Sequence, residues 1–274
     1  NVWLGTNGGG LVELKAGRFN TLTTSEGLAD NIVTSVFMDQ VGAIWMGTAT
    51  GLSRFKDGKF TTMTLPDGTP LARSNRIMQD SNGNLWLSST VGPKKLKYVE
   101  GSSRLAVLEA NELNADSLIV REDRKGNFWF APRANGLRRI EPNGTQTNFR
   151  KEDGLADDIV NTLFEDSRGT MWVGTRNGIN SFSDGTLKAF SEKDGWTGKH
   201  VISFHEDKNG NIWIGTHGDG LFVFRNGKFS VTTSKNGLYD NLAFQILEDD
   251  KQNLWMSGNK GIYRASIGEL LDFV

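Results

Sequence analysis

Three histidines, His200, His205 and His217, are the side chains of this sequence with an ordinary pKa near neutral pH, so they are its candidate general bases. A base needs a second polar group within reach on the same side of the backbone. His205 and Glu206 are adjacent in an apolar stretch that resembles a strand, so their side chains point to opposite faces. His217 and Asp219 share a glycine-rich turn, which is a weak signal. This spacing predicts no catalytic residues.

Two further stretches begin like ligand-binding loops but lack essential residues. "DSNGN" from Asp80 starts like a calcium loop, yet it has neither the glycine at the sixth position nor the late bidentate acid. "GTHGDGL" is rich in glycine but carries no phosphate-binding lysine. The absence of cysteine excludes disulfides and cysteine-based metal sites. We therefore expect no metal and no cofactor, and we predict that the protein is not an enzyme.

Composition excludes several classes of partner. The formal charge of −1, from 31 basic and 32 acidic residues, gives no reason to expect nucleic acid. No apolar run approaches the roughly 18 residues of a membrane-spanning helix, so we expect no membrane contact by this segment. The opening "NVWLGT" already lies inside a repeat, and we expect the sequence to be a piece of a longer protein.

Seven of the eight tryptophans recur at a nearly constant interval. They are Trp3, Trp45, Trp86, Trp129, Trp172, Trp213 and Trp255, separated by 42, 41, 43, 43, 41 and 42 residues. A period of about 40 residues is typical of a repeat protein, whose units bury their faces against their neighbours. The recurring residues are therefore expected to be scaffold, and chemistry is expected where a repeat departs from the pattern.

An aspartate precedes six of these tryptophans by a constant six residues. The aspartates are Asp39, Asp80, Asp123, Asp166, Asp207 and Asp249. Each opens a turn of the form D-x-x-G, with Gln252 in place of the glycine in the last one. An aspartate at a turn accepts hydrogen bonds from backbone N–H groups just ahead of it. We predict that these aspartates close hairpins and are not catalytic.

Each repeat contains the signals of four short strands joined by turns, including Asp-Gly and Asn-Gly hairpin turns. Seven such units predict an all-β fold, a seven-bladed β-propeller of four-stranded antiparallel blades. The first unit lacks its first strand and the last unit lacks its fourth, so we expect 26 strands and a ring that is either incomplete or completed by residues outside this segment. We assign residues 1–265 to a single propeller and residues 266–274 to a short exit helix or linker, with Ser266 and Glu269 as a capping box.

The repeat "GLADDIVNTLFEDSRGTMWVGTRNGINSF" resembles the two-component regulator propeller repeat, which occurs in the sensor regions of bacterial hybrid histidine kinases. The resemblance implies a periplasmic or extracytoplasmic sensor domain for signal transduction, with a small molecule or oligosaccharide as ligand. It also implies partners in the same parent chain, namely a second propeller, a β-sandwich and a kinase, and it allows a homodimer. The repeat is distantly similar to streptogramin B lyase, which implies a metal-dependent lyase as the alternative.

Chain direction places two sets of loops on one face, those between the second and third strands and those between successive blades. These loops vary among repeats, and binding residues tend to lie on variable loops held by a rigid frame. We predict a polar or anionic ligand on this face, because arginine and lysine bind carboxylate, sulfate and phosphate groups. The candidate ligand-binding residues are Arg73, Arg76, Lys94, Lys95, Arg133, Arg176, Trp196, His200 and His217.

Two questions stay open at the level of sequence. Trp196 replaces the leucine found at Leu28, Leu155 and Leu238, so it either fills the same hole or stacks on a sugar ring. The variable face also suits a protein-docking scaffold, which would show an exposed apolar patch in place of a polar concavity. Inside the strands, His205 is predicted to be a core histidine whose polar atoms find partners.

Overall fold

The structure, a computed structural model, describes residues 2–15, 17–71, 74–89, 92–108 and 117–273. The chain forms two compact units, Asn1–Glu122 and Asp123–Val274. The strands of the first unit are β1 (Val2–Gly5), β2 (Leu11–Lys15), β3 (Arg18–Leu22), β4 (Val33–Met38), β5 (Ile44–Thr48), β6 (Leu52–Lys56), β7 (Lys59–Met63), β8 (Ser74–Gln79), β9 (Leu85–Ser89), β10 (Gly92–Lys97), β11 (Ala106–Leu108) and β12 (Ser117–Glu122).

The second unit contains the remaining strands and the helix of the described residues. Its elements are β13 (Phe128–Pro132), β14 (Leu137–Ile140), β15 (Gln146–Phe149), β16 (Val160–Glu165), β17 (Met171–Thr175), β18 (Gly178–Ser183), β19 (Thr186–Ala189), β20 (Val201–Glu206), β21 (Ile212–Thr216), β22 (Leu221–Arg225), β23 (Lys228–Thr232), β24 (Gln245–Glu248), β25 (Asn253–Gly258), β26 (Gly261–Ser266) and α1 (Ile267–Asp272).

The strands pair in chain order into seven antiparallel sheets, and the architecture is a seven-bladed β-propeller. The first sheet, β1 to β3, and the last, β24 to β26, have three strands each, and the other five have four. The predicted fold and the incomplete first and last blades are confirmed, with 26 strands among the described residues. Short turns are enough to connect consecutive strands within a sheet, because neighbouring strands are antiparallel.

The invariant six-residue spacing has a direct structural cause. In each of the six repeats, the tryptophan Nε1–H donates to Oδ2 of the aspartate six residues earlier, at 2.8–3.0 Å. The other carboxylate oxygen accepts from backbone N–H groups two and four residues after the aspartate, as in Asp207 with Asn209 and Asn211. The predicted turn role of the aspartates is confirmed, and the indole bond adds the reason for the spacing.

A second recurring bond joins successive blades through the residue that precedes five of the six aspartates. Its side chain accepts a hydrogen bond from the backbone N–H that follows the aspartate of the blade before. The donor and acceptor pairs are Gln40 and Gln79, Ser81 and Glu122, Arg124 and Glu165, Ser167 and Glu206, and Lys208 and Glu248. The sequence carried this signal as a Glu or Gln before most of the aspartates, but its meaning depends on which blades are neighbours.

The repeated tryptophans pack between sheets, as the repeat pattern predicted. Trp172 on β17 contacts Phe224 on β22 edge-on, with ring centroids 5.1 Å apart, and Phe204 on β20 at 6.5 Å. Trp213 is 1% exposed and belongs to an apolar cluster that reaches Ile267 and Leu270 of α1. These aromatic wedges bury the faces of neighbouring blades and set a rigid frame for the loops.

The loops between blades contain 3₁₀ turns at Thr24–Glu26, Lys151–Asp153, Glu192–Asp194 and Ser234–Asn236. In two of them a threonine side chain, Thr23 or Thr233, accepts the hydrogen bond of a capping box. The prediction of a capping box at Ser266 is wrong. The helix α1 does begin directly after Ser266, but the serine side chain makes no capping hydrogen bond. Within the described residues, no helix has the length and apolar character needed to cross a membrane.

Candidate functional site

All three histidines lie in one repeat, the sixth, and two of them occupy loops of the variable face. His200 immediately precedes β20, where other repeats place Ile32, Ile159 and Leu242. His217 follows β21, at the position that Arg176 has after β17. The sixth repeat is therefore the place where polar, titratable side chains replace ordinary repeat residues.

Backbone hydrogen bonds bring these two histidines and Arg176 together. The N–H of His200 donates to the carbonyl of Arg176 at 2.7 Å, and the N–H of His217 donates to the carbonyl of His200 at 3.0 Å. The imidazole rings of His200 and His217 stack with centroids 4.9 Å apart and planes 18° from parallel. We call Arg176, His200 and His217 the histidine cluster. It joins three of the residues predicted from the sequence, which are up to 41 positions apart.

The conformation of His200 follows from substitutions upstream of it. In other repeats an aspartate two residues before this position accepts its backbone N–H, as Asp157 does for Ile159 at 2.8 Å. In the sixth repeat that aspartate is replaced by Gly198, and His200 adopts a positive φ of 28°. This region is unfavourable for residues other than glycine. Such backbone strain is retained only where the surrounding structure holds it in place.

Trp196 explains why residue 198 is glycine. Trp196 is 4% exposed, and its ring lies 4.4 Å from that of Phe222 and 5.1 Å from that of Phe229. A Cβ added at Gly198 would lie 2.8 Å from the Phe222 ring and 3.0 Å from the Trp196 ring. The Phe222 ring, together with the indole that stands where other repeats have leucine, thus leaves no room for a side chain at residue 198.

The position of Trp196 corrects one prediction. Its hypothesised role in stacking on a sugar is wrong, because the ring is buried among phenylalanines and is not available to a ligand. The alternative interpretation, that the indole fills the hole of the usual leucine, is confirmed.

Asp219, in the turn after β21, places a carboxylate next to the loop that carries His200. In the last blade Asp240, from the loop before β24, accepts the N–H of Lys260 at 3.2 Å. In the sixth blade the direction is reversed, since Asp219, from the turn after β21, accepts the N–H of Lys199 at 2.8 Å. This bond fixes the residue next to His200 even though the aspartate at position 198 is missing.

The electrostatics of the histidine cluster favour a neutral His200. Burial, the neighbouring His217 ring and the Arg176 guanidinium lower the pKa of His200 from its ordinary value of 6.5, and Asp219 opposes them. His200 is half-buried, whereas Arg176 and His217 are exposed. Phe244, 48% exposed, lies with its ring 6.5 Å from that of His217. The arrangement presents one permanent cation, two imidazoles and an apolar edge to solvent.

Two of the other predicted ligand-binding residues, Lys94 and Lys95, lie on β10. Lys95 packs over the ring of Trp86 at 5.1 Å, with its Nζ 3.8 Å from the Asp80 carboxylate, so its charge is already engaged within the sheet. Lys94, on the same strand, is half-buried.

Arg73 lies outside the described residues. Arg133 is exposed in the turn after β13. Arg76 lies on β8, and desolvation by the surrounding protein lowers the pKa of its guanidinium below the ordinary value.

His205 and Glu206 point in opposite directions, as predicted. Glu206 accepts from the backbone N–H and the hydroxyl of Ser167 at 2.6 Å each. The His205 Nε2 lies 3.6 Å from the carboxylate of Glu248, which belongs to the next sheet and is 6% exposed. His205 is therefore a structural histidine between blades. Within the described residues, no three histidine, aspartate or glutamate side chains converge as a metal site would require.

Protonation of His205 is expected to make stability depend on pH. Burial lowers its pKa below the ordinary 6.5, although Glu248 opposes this. The unfolded chain takes up a proton below that pH more readily than the folded one, so the free energy of unfolding should fall as the pH drops below 6.5. His205→Phe, which copies Phe164 of the preceding repeat, should reduce this fall in urea titrations between about pH 7.5 and about pH 5.5.

His205→Gln is the matched control, because it also cannot titrate but stays polar. Both variants should show a shallower dependence on pH than the wild type, with the remainder due in part to His200. A dependence as steep as that of the wild type in both variants would contradict a role for His205.

Part of the chain, including the sixth repeat, matches a known protein family in sequence. The model of the family "two component regulator propeller" matches residues 154–177 and 195–218. Both segments are similar to the two-component regulator propeller repeat in sequence. The first matched segment ends at Asn177 and includes Arg176, and the second includes both His200 and His217. No curated protein matches the chain by sequence.

Solved structures share the propeller fold. One is the extracellular domain of a protein described as a hybrid two component system of B. thetaiotaomicron, with 21% identity, a TM-score of 0.82, and 98% of this chain and 38% of that chain covered. Another is the extracellular domain of a protein described as a one component system of the same organism, with 17% identity, a TM-score of 0.76, and 96% and 39% covered. The chain thus spans less than two fifths of the length of either.

Streptogramin B lyase has the same fold, with 17% identity, a TM-score of 0.72, and 96% of this chain and 88% of that chain covered. At these identities the similarity shows the shared fold, and it does not carry the reaction of the lyase or the ligands of the extracellular domains to this chain.

Proposed function

We propose that this chain is the ligand-binding propeller of a bacterial signal-transduction protein, located outside the cytoplasm and without enzymatic activity of its own. The regulator propeller repeats and the fold shared with extracellular domains of two-component systems support this proposal. The ligand is a polar or anionic small molecule or glycan fragment. Further domains of the parent chain, a second propeller, a β-sandwich and a kinase, convert its binding into a signal, and a homodimer is part of the same proposal.

The histidine cluster is the observation that carries the ligand proposal. An exposed guanidinium beside two imidazoles suits a carboxylate or sulfate, because arginine binds planar and tetrahedral oxyanions through paired N–H donors. The exposed edge of Phe244 next to His217 suits the apolar face of a sugar ring. Both features lie on loops that the propeller frame holds, which is the usual location of binding residues.

Arg176→Ala is expected to weaken ligand binding about 10-fold or more, because a hydrogen bond to a charged group contributes about 1.5 to 3 kcal/mol. Candidate ligands are first found by thermal shift with glucuronate and galacturonate oligosaccharides, sulfated disaccharides, succinate and neutral galactose, since a ligand specific for the folded state raises its melting temperature. Their dissociation constants are then measured by calorimetry.

Arg225→Ala is the matched control, because Arg225 is an exposed arginine at the far end of β22, beside the hairpin turn. It should leave both the melting temperature and the affinity unchanged. A loss of affinity of equal size in the two variants would indicate binding to general surface charge, and the absence of any thermal shift across the acidic ligands would contradict the proposed ligand class.

A further inference from the structure

The sixth repeat departs from the others in a set of substitutions that depend on one another. Phe222 and Trp196 leave no room for a Cβ at residue 198, where glycine replaces the usual aspartate; two residues later His200 has a positive φ, and its ring stacks on that of His217. Asp219 compensates by accepting the N–H of Lys199. A strained backbone that neighbouring residues maintain is a reason to look for a function at that residue.

The charge on one of the stacked imidazoles affects the charge on the other. Protonation of one ring places a cation 4.9 Å from the other ring and close to the Arg176 guanidinium. Like charges at such distances repel, and the repulsion is stronger where water is partly excluded, as around the half-buried His200. Asp219 is the acid that acts on His200 in the opposite sense, and one of its carboxylate oxygens is occupied by the Lys199 N–H.

An anion bound next to these groups would favour the protonated imidazoles over the neutral ones. It would offset the charge of Arg176 and accept N–H bonds from protonated imidazoles, which as cations are donors at both nitrogens. Binding that favours the protonated form must take up protons, and by linkage it must strengthen as protons become more available. A metal cation is disfavoured at the same place, because Arg176 and any imidazolium would repel it.

We propose that His200 and His217, with Arg176 beside them, bind an oxyanion of the ligand, a carboxylate or a sulfate, and take up a proton as they do so, so that the ligand binds more tightly as the pH falls. This inference rests on the proposed function and adds its regulation: the module responds to an acidic ligand most strongly in acidic surroundings.

The three histidines allow a direct test by NMR, because each imidazole gives its own ¹³Cε1 resonance and His205 serves as an internal reference. The resonances are titrated over about pH 5 to about pH 8 in sodium chloride, sodium sulfate and sodium glucuronate at matched ionic strength. We expect sulfate or glucuronate to raise the pKa of His200 by about half a pH unit or more and to leave the titration of His205 in place. Sulfate and glucuronate together separate the two oxyanion types.

Two variants make the test specific. Arg176→Ala should abolish most of the anion-induced rise, whereas Arg225→Ala should retain it. His200→Asn, chosen because asparagine tolerates a positive φ, should reduce the dependence of affinity on pH without unfolding the loop. Equal titration curves in chloride, sulfate and glucuronate would overturn the proton-coupled inference. If acidic ligands still produced a thermal shift that Arg176→Ala removed, the proposed function would stand without it.

Discussion

Asp207→Asn is expected to lower the free energy of unfolding by about 2 to 5 kcal/mol, since each buried donor left without an acceptor costs about 1 to 3 kcal/mol. Asp207 is 4% exposed and accepts four hydrogen bonds, from the Asn209 and Asn211 N–H groups and from the side chains of Asn211 and Trp213. The substitution is nearly isosteric, so no cavity forms. In either orientation, however, the new NH₂ group faces two donors.

The measurement is urea denaturation followed by tryptophan fluorescence, with Asp184→Asn as the matched control. Asp184 lies exposed in the hairpin turn after β18 with a φ of 49°, and Asn226 occupies the corresponding turn after β22 with a φ of 52°. The control should therefore change stability by less than about 0.5 kcal/mol. Similar effects of the two substitutions on the free energy of unfolding would mean that the hydrogen bonds of Asp207 do not stabilise its hairpin.

Gly198→Ala is expected to destabilise the protein by about 1 to 3 kcal/mol through overpacking. The added methyl group would lie 2.8 Å and 2.9 Å from two atoms of the Phe222 ring and 3.0 Å from Trp196. Gly198 does not have a positive φ, so the backbone itself accepts alanine. The expected loss comes from contact alone, and it should disappear when the contact is relieved.

Trp196→Leu removes the contact with the indole and gives the neighbouring Phe222 ring, 4.4 Å from that of Trp196, space to move away from the added methyl group. The double variant Trp196→Leu, Gly198→Ala should be more stable than the sum of the single effects predicts, by about 1 kcal/mol or more in a double-mutant cycle. Gly51→Ala is the control, since its new Cβ would lie 3.6 Å from the Leu71 carbonyl, an ordinary contact. Additive effects of Trp196→Leu and Gly198→Ala would contradict the dependence of residue 198 on the indole.

The face on which the histidine cluster lies was predictable from the sequence, but the contacts within the cluster were not. Arg176, His200 and His217 were predicted to lie on the variable face because loop direction follows from strand order. Their contact was not predictable, because it arises from hydrogen bonds between the backbones of three different loops. Lys95 shows the opposite outcome: it was predicted to bind a ligand on the variable face, whereas its side chain lies on Trp86 and reaches Asp80.

The sequence by itself determined the repeat, the seven blades with their two incomplete members, and the turn role of the aspartates. These features rest on interactions at fixed short separations, such as the bond from Trp213 to Asp207 six residues earlier, so their spacing survives in the linear sequence. Only the tertiary structure decided that Trp196 is buried, that Gly198 must lack a side chain, and that His200 stacks on His217. Each of these depends on which atoms packing brings close together, and distance along the chain does not specify that.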